Sequence, residues 1–242
     1  MGKELSGQRD VQGNLLLTIG NVYMDLGHYD KAESDFRRAL DIAREQATEG
    51  VQAIVLNQLA MALQLRGKYN EAESMLREAL ALKRKLLGDD NRETVASLGN
   101  LATVLQAEGK LAEAETACRE ALRIFKKLFG DENLEVMTTL NNLGNLLFAQ
   151  GKLDQAETTL RETLELSKKL HSDLHPFRAK ALNSLGVVLK EQGKLREAEA
   201  LLSEALALQE KLLGPDHPDV AKLAIADLPV MTDKPSTTEA RL

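Results

Sequence analysis

Apolar residues recur at helical spacing along most of the chain, in segments separated by short polar turns. In one segment the apolar positions are Leu98, Leu101 and Leu105, three or four residues apart, which is the period of one helix face. The pattern predicts five pairs of amphipathic helices. Helix A is expected at about 11–26, 51–66, 93–108, 135–150 and 177–192, and helix B at about 29–47, 69–87, 111–129, 153–171 and 195–213.

A nearly identical phrase, close to Gly-Lys-Leu-x-Glu-Ala-Glu, joins helix A to helix B in every pair. Its glycines stand at 27, 67, 109, 151 and 193, so the repeat length is 40 residues once and 42 residues three times. Glycine at this point ends helix A because it adopts the left-handed backbone conformation without strain. The next helix A is expected to begin at an N-cap, which is Asn91, Asn133, His175 or His217.

Small residues occupy fixed positions in both helices, where two helices must approach closely. The helix A positions are Gly20, Ala60, Ala102, Gly144 and Gly186, and the first helix B positions are Ala32, Ala72, Ala114, Ala156 and Ala198. Each pair leaves one apolar face that it cannot bury alone, so the pairs must stack on one another. The sequence therefore predicts an all-α array of stacked helix-turn-helix repeats.

These residues resemble the tetratricopeptide repeat, as in Leu140-Asn-Asn-Leu143-Gly144. The 42-residue period and the phrase at 213–221 are similar to the kinesin light chain type. The resemblance implies a right-handed α-solenoid over residues 11–228, after a flexible segment at 1–10 and before a disordered tail at 229–242. Its repeats would span 11–50, 51–92, 93–134, 135–176 and 177–218, followed by a capping helix at 219–228.

The resemblance also implies a concave groove, lined by the A helices, that holds an extended peptide. The candidate peptide-binding residues are Asn57, Met61, Gln64, Asn100, Thr103, Gln106, Asn141, Asn145, Phe148, Lys180, Asn183 and Lys190. Asparagine in mid-helix is less favourable than alanine by roughly 0.6 kcal/mol, so its repeated use needs a reason. The amides either bind a peptide backbone or join adjoining repeats, and both roles are open for Asn100. Asn141 and Asn183 are expected to project into the groove without internal partners.

Composition excludes several classes of function. Hydrophobic residues make up 43% of the chain, aromatic residues only 3%, and the net charge is −6, which argues against a β-sandwich and against a nucleic-acid-binding face. The sequence contains no run of 18 apolar residues, which is the length that would predict a membrane span. The start Met1–Ser6 fits the pattern for N-myristoylation at Gly2, a pattern that chance also produces. A single myristoyl group would anchor the protein to a membrane only marginally.

Candidate chemistry is sparse. The four histidines (28, 171, 175 and 217) lack metal-ligand spacing, no glycine-rich phosphate loop is present, and Cys118 stands at an inward position of helix B. We therefore expect no catalysis and no cofactor. A lone cysteine fits a reducing, cytoplasmic location. The predicted function is a non-catalytic adaptor or scaffold that holds a protein or peptide partner. The alternative is a constitutive structural subunit of a larger assembly.

Overall fold

The computed structural model describes residues 2–170 and 175–214, and these ranges contain ten α-helices and no strand. The helices are α1 (Gly2–Asp25), α2 (Tyr29–Glu45), α3 (Glu49–Leu65), α4 (Tyr69–Leu87), α5 (Arg92–Ala107), α6 (Leu111–Phe129), α7 (Leu134–Ala149), α8 (Leu153–Leu170), α9 (Pro176–Glu191) and α10 (Leu195–Leu213). The odd-numbered helices are the predicted A helices and the even-numbered ones the B helices. The prediction of an all-α repeat protein is confirmed.

The observed bounds of α2 to α10 agree with the predicted ones to within two residues, whereas α1 differs. It begins at Gly2, so the segment 1–10 is helical from its second residue and was wrongly predicted to be flexible. Good helix formers such as Gln8, Arg9 and Gln12 continue the helix, and no proline interrupts it. The predicted capping helix, the predicted tail and His217 lie outside the described residues.

The turn and cap residues act as predicted. The five glycines that end the A helices all have positive φ, between 73° and 78°. The side chains of Asn91 and Asn133 accept hydrogen bonds from the backbone N–H two residues on, at 2.9 and 2.8 Å. His175 Nδ1 accepts in the same way from Phe177 N at 3.1 Å. These bonds satisfy amide groups that a helix start would otherwise leave without partners.

The first repeat is two residues shorter than the others because of the way α2 leads into α3. Helix α2 has 17 residues, whereas α4 and α6 have 19. Only residues 46–48 connect α2 to α3, and Ala47 takes a positive φ of 53° to make the tight turn. The connection from α4 to α5, at 88–91, is one residue longer.

The chain forms two compact units, Met1–Gln150 and Gly151–Leu242. In the first, α1, α3 and α5 each pack on the B helix that follows them, and α3, α5 and α7 also pack on the B helix before them. In the second, α9 packs on both α8 and α10. Two of the small-residue positions show how closely the helices approach. A Cβ atom at Gly20 would overlap the ring of Phe36, and one at Gly186 would lie 2.7 Å from Leu202 Cγ.

Candidate functional site

The first unit carries three A helices whose outward-facing side chains include most of the predicted site. We call this set the A-helix surface. Its members are Ile54, Asn57, Met61, Gln64 and Leu65 of α3, Gly99, Asn100, Thr103 and Gln106 of α5, and Asn145 and Phe148 of α7. All of them are exposed or half-buried, as a surface that contacts a partner requires.

Helix α3 gives this surface its apolar part. The side chains of Ile54, Met61 and Leu65 are between 39% and 53% exposed. Their spacing of seven and four residues places them along one side of the helix. Large apolar groups grouped in this way suit contact with another molecule better than contact with water.

Polar side chains join α3 to α5 beneath the surface, and a lysine of α4 binds the same part of α5. Asn57 Oδ1 accepts hydrogen bonds from Ser97 Oγ at 3.2 Å and from Asn100 Nδ2 at 3.4 Å. Lys83 Nζ, from α4, donates to Ser97 Oγ at 2.9 Å and to the carbonyl oxygen of Glu93 at 3.3 Å. Of the two roles open to Asn100, the structure therefore displays the link between adjoining repeats.

Lys83 is the cation of this cluster, and only 8% of its surface is exposed. Burial lowers the pKa of its ammonium group, and the charge of Glu93 opposes that shift. A buried ammonium group needs acceptors, and Ser97 and the Glu93 carbonyl provide them. The cluster thus places a positive charge behind Asn57, close to the A-helix surface.

Asn141 of α7 does not project outward as expected. The side chain is fully buried, and neither its Oδ1 nor its Nδ2 has a hydrogen-bond partner. The repeat gives the position of Asn141 on the helix, but it does not give the depth of that position in the fold. A peptide cannot reach this amide in the described structure, so we remove Asn141 from the candidate surface.

The second unit holds the remaining candidates on α9. Lys180 is exposed, while Asn183 and Lys190 are half-buried. The Oδ1 atom of Asn183 is buried and lacks a hydrogen-bond partner. Nothing in these residues alone defines a binding pocket.

Gly99 is an unusual member of the A-helix surface because the fold does not require it. It stands in the middle of α5, and a Cβ atom at this position would meet no atom within 4 Å. Gly20 and Gly186, in contrast, are glycines because the opposite helix leaves no room for a side chain. Space above Gly99 is therefore open to a partner.

Ion pairs that were not predicted from the sequence join successive B helices. In the first unit Arg77 pairs with Glu113 at 2.9 Å and Arg84 with Glu120 at 2.8 Å. The second unit has the equivalent pair Arg161–Glu197 at 2.6 Å. The signal was present, since Arg77 and Arg161 stand two repeats apart in the same column, as do Glu113 and Glu197.

The repeated phrase supplies a second ion pair between repeats. Its glutamate binds the lysine that follows the glycine of the next phrase, as in Glu73–Lys110 at 2.7 Å and Glu157–Lys194 at 2.6 Å. The hydrogen bond from Lys194, aided by Arg161, lowers the pKa of Glu157 to about 2 despite its partial burial. These charges hold repeats together and are not available for a ligand.

A cleft of about 610 Å³ lies between α4 and α6, on a different face of α5 from Asn100. Its floor is formed by Leu98, Leu101 and Leu105, and the Arg77–Glu113 and Arg84–Glu120 pairs flank it. The cleft is the main rival to the A-helix surface as a binding site in the first unit.

Other classes of site find no support in the described residues. Within 2–170 and 175–214, no group of three or more His, Cys, Asp or Glu side chains is placed to hold a metal ion. None of the helices described there is long and apolar enough to cross a membrane. Cys118 is buried, as predicted, and burial raises the pKa of its thiol to about 11, with a smaller effect from Glu115.

The chain belongs to the tetratricopeptide repeat family, whose members are non-catalytic interaction modules. The family profile matches it in overlapping windows at 11–85, 51–127, 93–169, 135–211 and 177–226. No curated protein sequence matches the chain.

Solved structures show the same fold at low sequence identity. BtubC (BKLC) from P. vanneervenii is 24% identical, with a TM-score of 0.75 over 89% of this chain and 88% of that one. A Podosopora anserina protein described as a kinesin light chain with nearly identical TPR-like repeats is 23% identical, with a TM-score of 0.71 over 83% and 96%. YrrB, a TPR protein with an unusual peptide-binding site, is 18% identical, with a TM-score of 0.53 over 86% and 89%. The resemblance to kinesin light chain repeats is confirmed at the level of fold.

Proposed function

We propose that this protein is a scaffold that binds an extended segment of a partner protein on the A-helix surface of its first unit. Gly99 is the observation that carries the proposal. Glycine in mid-helix costs about 1 kcal/mol relative to alanine, and here no neighbouring side chain requires it. A glycine without a role in packing lets a partner's backbone approach the helix closely.

The surroundings of Gly99 suit a peptide backbone. An extended chain offers one N–H and one C=O at each residue, and an asparagine amide can both donate and accept. Asn57 Nδ2 and the amide of Asn145 make no hydrogen bond with other described residues, so they are free to bind the partner. Lys83, behind Asn57, favours a carbonyl oxygen of the partner at this point.

Apolar side chains beside the amides would give selectivity. Ile54, Met61 and Leu65 of α3 are exposed next to the Asn57–Asn100 link. We propose that they receive apolar side chains of the bound segment, with methionine adapting to their shape. On α9, Lys180, Asn183 and Lys190 are a separate candidate contact for the partner.

The same exposed apolar groups favour a second candidate, a structural subunit whose A-helix surface is permanently covered. Obligate interfaces bury roughly 2,000 Å² or more and are more apolar than exchangeable ones. For either function we propose a cytoplasmic location, because the single, buried Cys118 fits a reducing compartment.

A peptide selection tests the proposal. Twelve-residue peptides are selected from a displayed random library on the wild-type protein and then titrated calorimetrically into two variants. Gly99→Leu fills the open space on the A-helix surface. Ala81→Leu places the same side chain in the rival cleft, which Ala81 lines.

We expect Gly99→Leu to raise the dissociation constant at least tenfold, or by about 1.4 kcal/mol, and Ala81→Leu to leave it unchanged. The reverse pattern would assign binding to the cleft. A selection that yields no peptide would contradict exchangeable peptide binding and favour the structural subunit.

A further inference from the structure

Helix α1 and Leu26, the residue that follows it, carry a long apolar stripe that no described part of the chain covers. Its five members are between 43% and 64% exposed; they are Val11, Leu15, Ile19, Val22 and Leu26. With 100° per residue they fall within an arc of about 80°, and with a rise of 1.5 Å per residue the stripe is about 22 Å long. The opposite side of α1, with Leu16 and Gly20, is the side that packs on α2.

Later repeats show what this face of an A helix normally does. The positions of α3 equivalent to Leu15, Ile19 and Val22 are Val55, Leu59 and Ala62, and all three are completely buried. In α5 the equivalent residues, Ser97, Leu101 and Val104, are buried as well. In both cases the preceding B helix packs alongside. The stripe on α1 is thus the kind of face that a B helix covers in the next two repeats, and no helix among the described residues covers it.

The stripe is also free of charge. Between residues 11 and 26 the side chains that border its arc are Gln12 on one side and Thr18 and Asp25 on the other. Arg9 lies outside the arc and pairs with Glu45 of α2. A neutral apolar surface can meet an identical surface without bringing like charges together.

We propose that α1 packs against α1 of a second copy of this chain, antiparallel about a two-fold axis. In the register in which the residue numbers of opposed positions add to 37, Val11 lies opposite Leu26 and Leu15 opposite Val22. Thr18 and Ile19 then meet at the axis, which is the self-complementary pattern of an isologous contact. Spacings of four and three residues suit side-by-side helices about 8–10 Å apart.

The charged neighbours agree with this register. Asp25 lies opposite Gln12 of the second copy, so the two Asp25 carboxylates stay at opposite ends of the contact. One pair of helices buries less than the roughly 800 Å² per partner of a standard interface, so the dimer should be weak. We expect a dissociation constant of about 10–100 μM.

Sedimentation equilibrium of the full chain tests the proposal. The wild type should show reversible monomer–dimer exchange between 1 and 300 μM, concentrations set by the expected affinity. The double variant Leu15→Ser/Val22→Ser should stay monomeric with an unchanged circular dichroism spectrum, since both side chains are exposed. The matched control Ile54→Ser/Leu65→Ser removes two equally exposed apolar groups from α3 and should dimerise like the wild type.

Disulfide cross-linking tests the register, in a Cys118→Ala background that removes the native thiol. Thr18→Cys should cross-link to its own copy, because the two positions meet at the axis. Val11→Cys should not, because antiparallel packing separates its two copies by about 22 Å, whereas a disulfide needs Cα atoms within about 7 Å.

Three results would overturn the proposal. A wild type that is monomeric at all concentrations would exclude the dimer. Loss of the dimer in the α3 control, with the α1 variant unaffected, would place the interface on the A-helix surface. Cross-linking of Val11→Cys without cross-linking of Thr18→Cys would exclude the antiparallel register.

Discussion

The A-helix surface and the outer face of the B helices differ, within the first unit, in how their polar groups are satisfied. On the B helices, Arg77 and Arg84 of α4 find carboxylates on α6, and Glu73 binds Lys110. On the A-helix surface, Asn145 has no partner among the described residues and Gly99 leaves open space.

This difference separates the residues that hold repeats together from those available for a partner. A charged group that already has an ion-pair partner gains little from a ligand, because the ligand must replace that partner. A free amide beside exposed apolar groups gains both hydrogen bonds and burial. The two faces therefore have different roles, and substitutions on each should affect different measurements.

The largest effect is expected at a glycine that belongs to the packing and not to the surface. Gly20→Ala forces the Phe36 ring to move, because the new Cβ would overlap it, and should destabilise the fold by about 1–3 kcal/mol. Denaturant titration followed by circular dichroism measures this change. An unchanged unfolding midpoint would show that α1 and α2 are farther apart than the structure has them.

A smaller loss is expected when an ion pair between repeats is removed. Glu157→Gln should cost about 1 kcal/mol, a moderate value because Lys194 and Arg161 are nearly half exposed and salt screens the pair. Glu165→Gln is the control, because Glu165 is exposed and its partner Lys168 lies on the same helix. Equal losses in the two variants would mean that the pair between repeats has no special weight.

The same carboxylate predicts a dependence on pH. The pKa of Glu157 is lowered in the fold, from 4.5 to about 2, so its contribution to stability is complete above pH 4.5 and is lost as pH falls toward 2. The wild type should lose more stability than Glu157→Gln between these values. Parallel stability curves for the two proteins would contradict the lowered pKa.

On the A-helix surface the expected change in stability has the opposite sign. Gly99→Ala should stabilise the fold by about 0.5–1 kcal/mol, because alanine favours the helix and its Cβ meets no neighbour. Thermal unfolding measures the gain. A loss of stability would reveal a packing role for Gly99 and remove the observation on which the proposed function rests.

Cys118 lies inside the first unit, between the two faces. We expect its thiol to be unreactive in the native protein. Burial raises the pKa of its thiol to about 11, so little thiolate exists at neutral pH. A thiol reagent at pH 7.5 should label it slowly in the native protein and rapidly in guanidinium. Rapid labelling of the native protein would indicate a reactive site that packing does not explain.

The helices could be predicted from the sequence because glycine, the N-caps and the small residues mark each boundary by a local backbone requirement. Where such a mark is missing, the prediction failed, as at the start of α1. The candidate site was predicted less well. The column containing Asn57, Gly99 and Asn141 is visible in the sequence, but burial depends on neighbouring repeats, and it removes Asn141 from the surface.

The ion pairs between B helices were missed for a related reason. Charged residues on an amphipathic helix are usually solvated, so a single Arg77 or Glu113 carries no information about a partner. Only the stacking of repeats brings residues 36 positions apart to within 2.9 Å. Columns of opposite charge one repeat apart are the feature that could have predicted these contacts.

Photo-cross-linking from two matched threonines tests most directly whether the A-helix surface binds the partner. Thr103 of α5 and Thr116 of α6 are both exposed, and both hydroxyls donate to a carbonyl oxygen four residues earlier, at 3.1 and 3.0 Å. Thr103 belongs to the A-helix surface, and Thr116 lines the cleft between the B helices. Benzoylphenylalanine is placed at one position or the other and irradiated with a peptide selected on the wild type. The account predicts a cross-link from position 103 and none from position 116, and a cross-link from position 116 alone would contradict it.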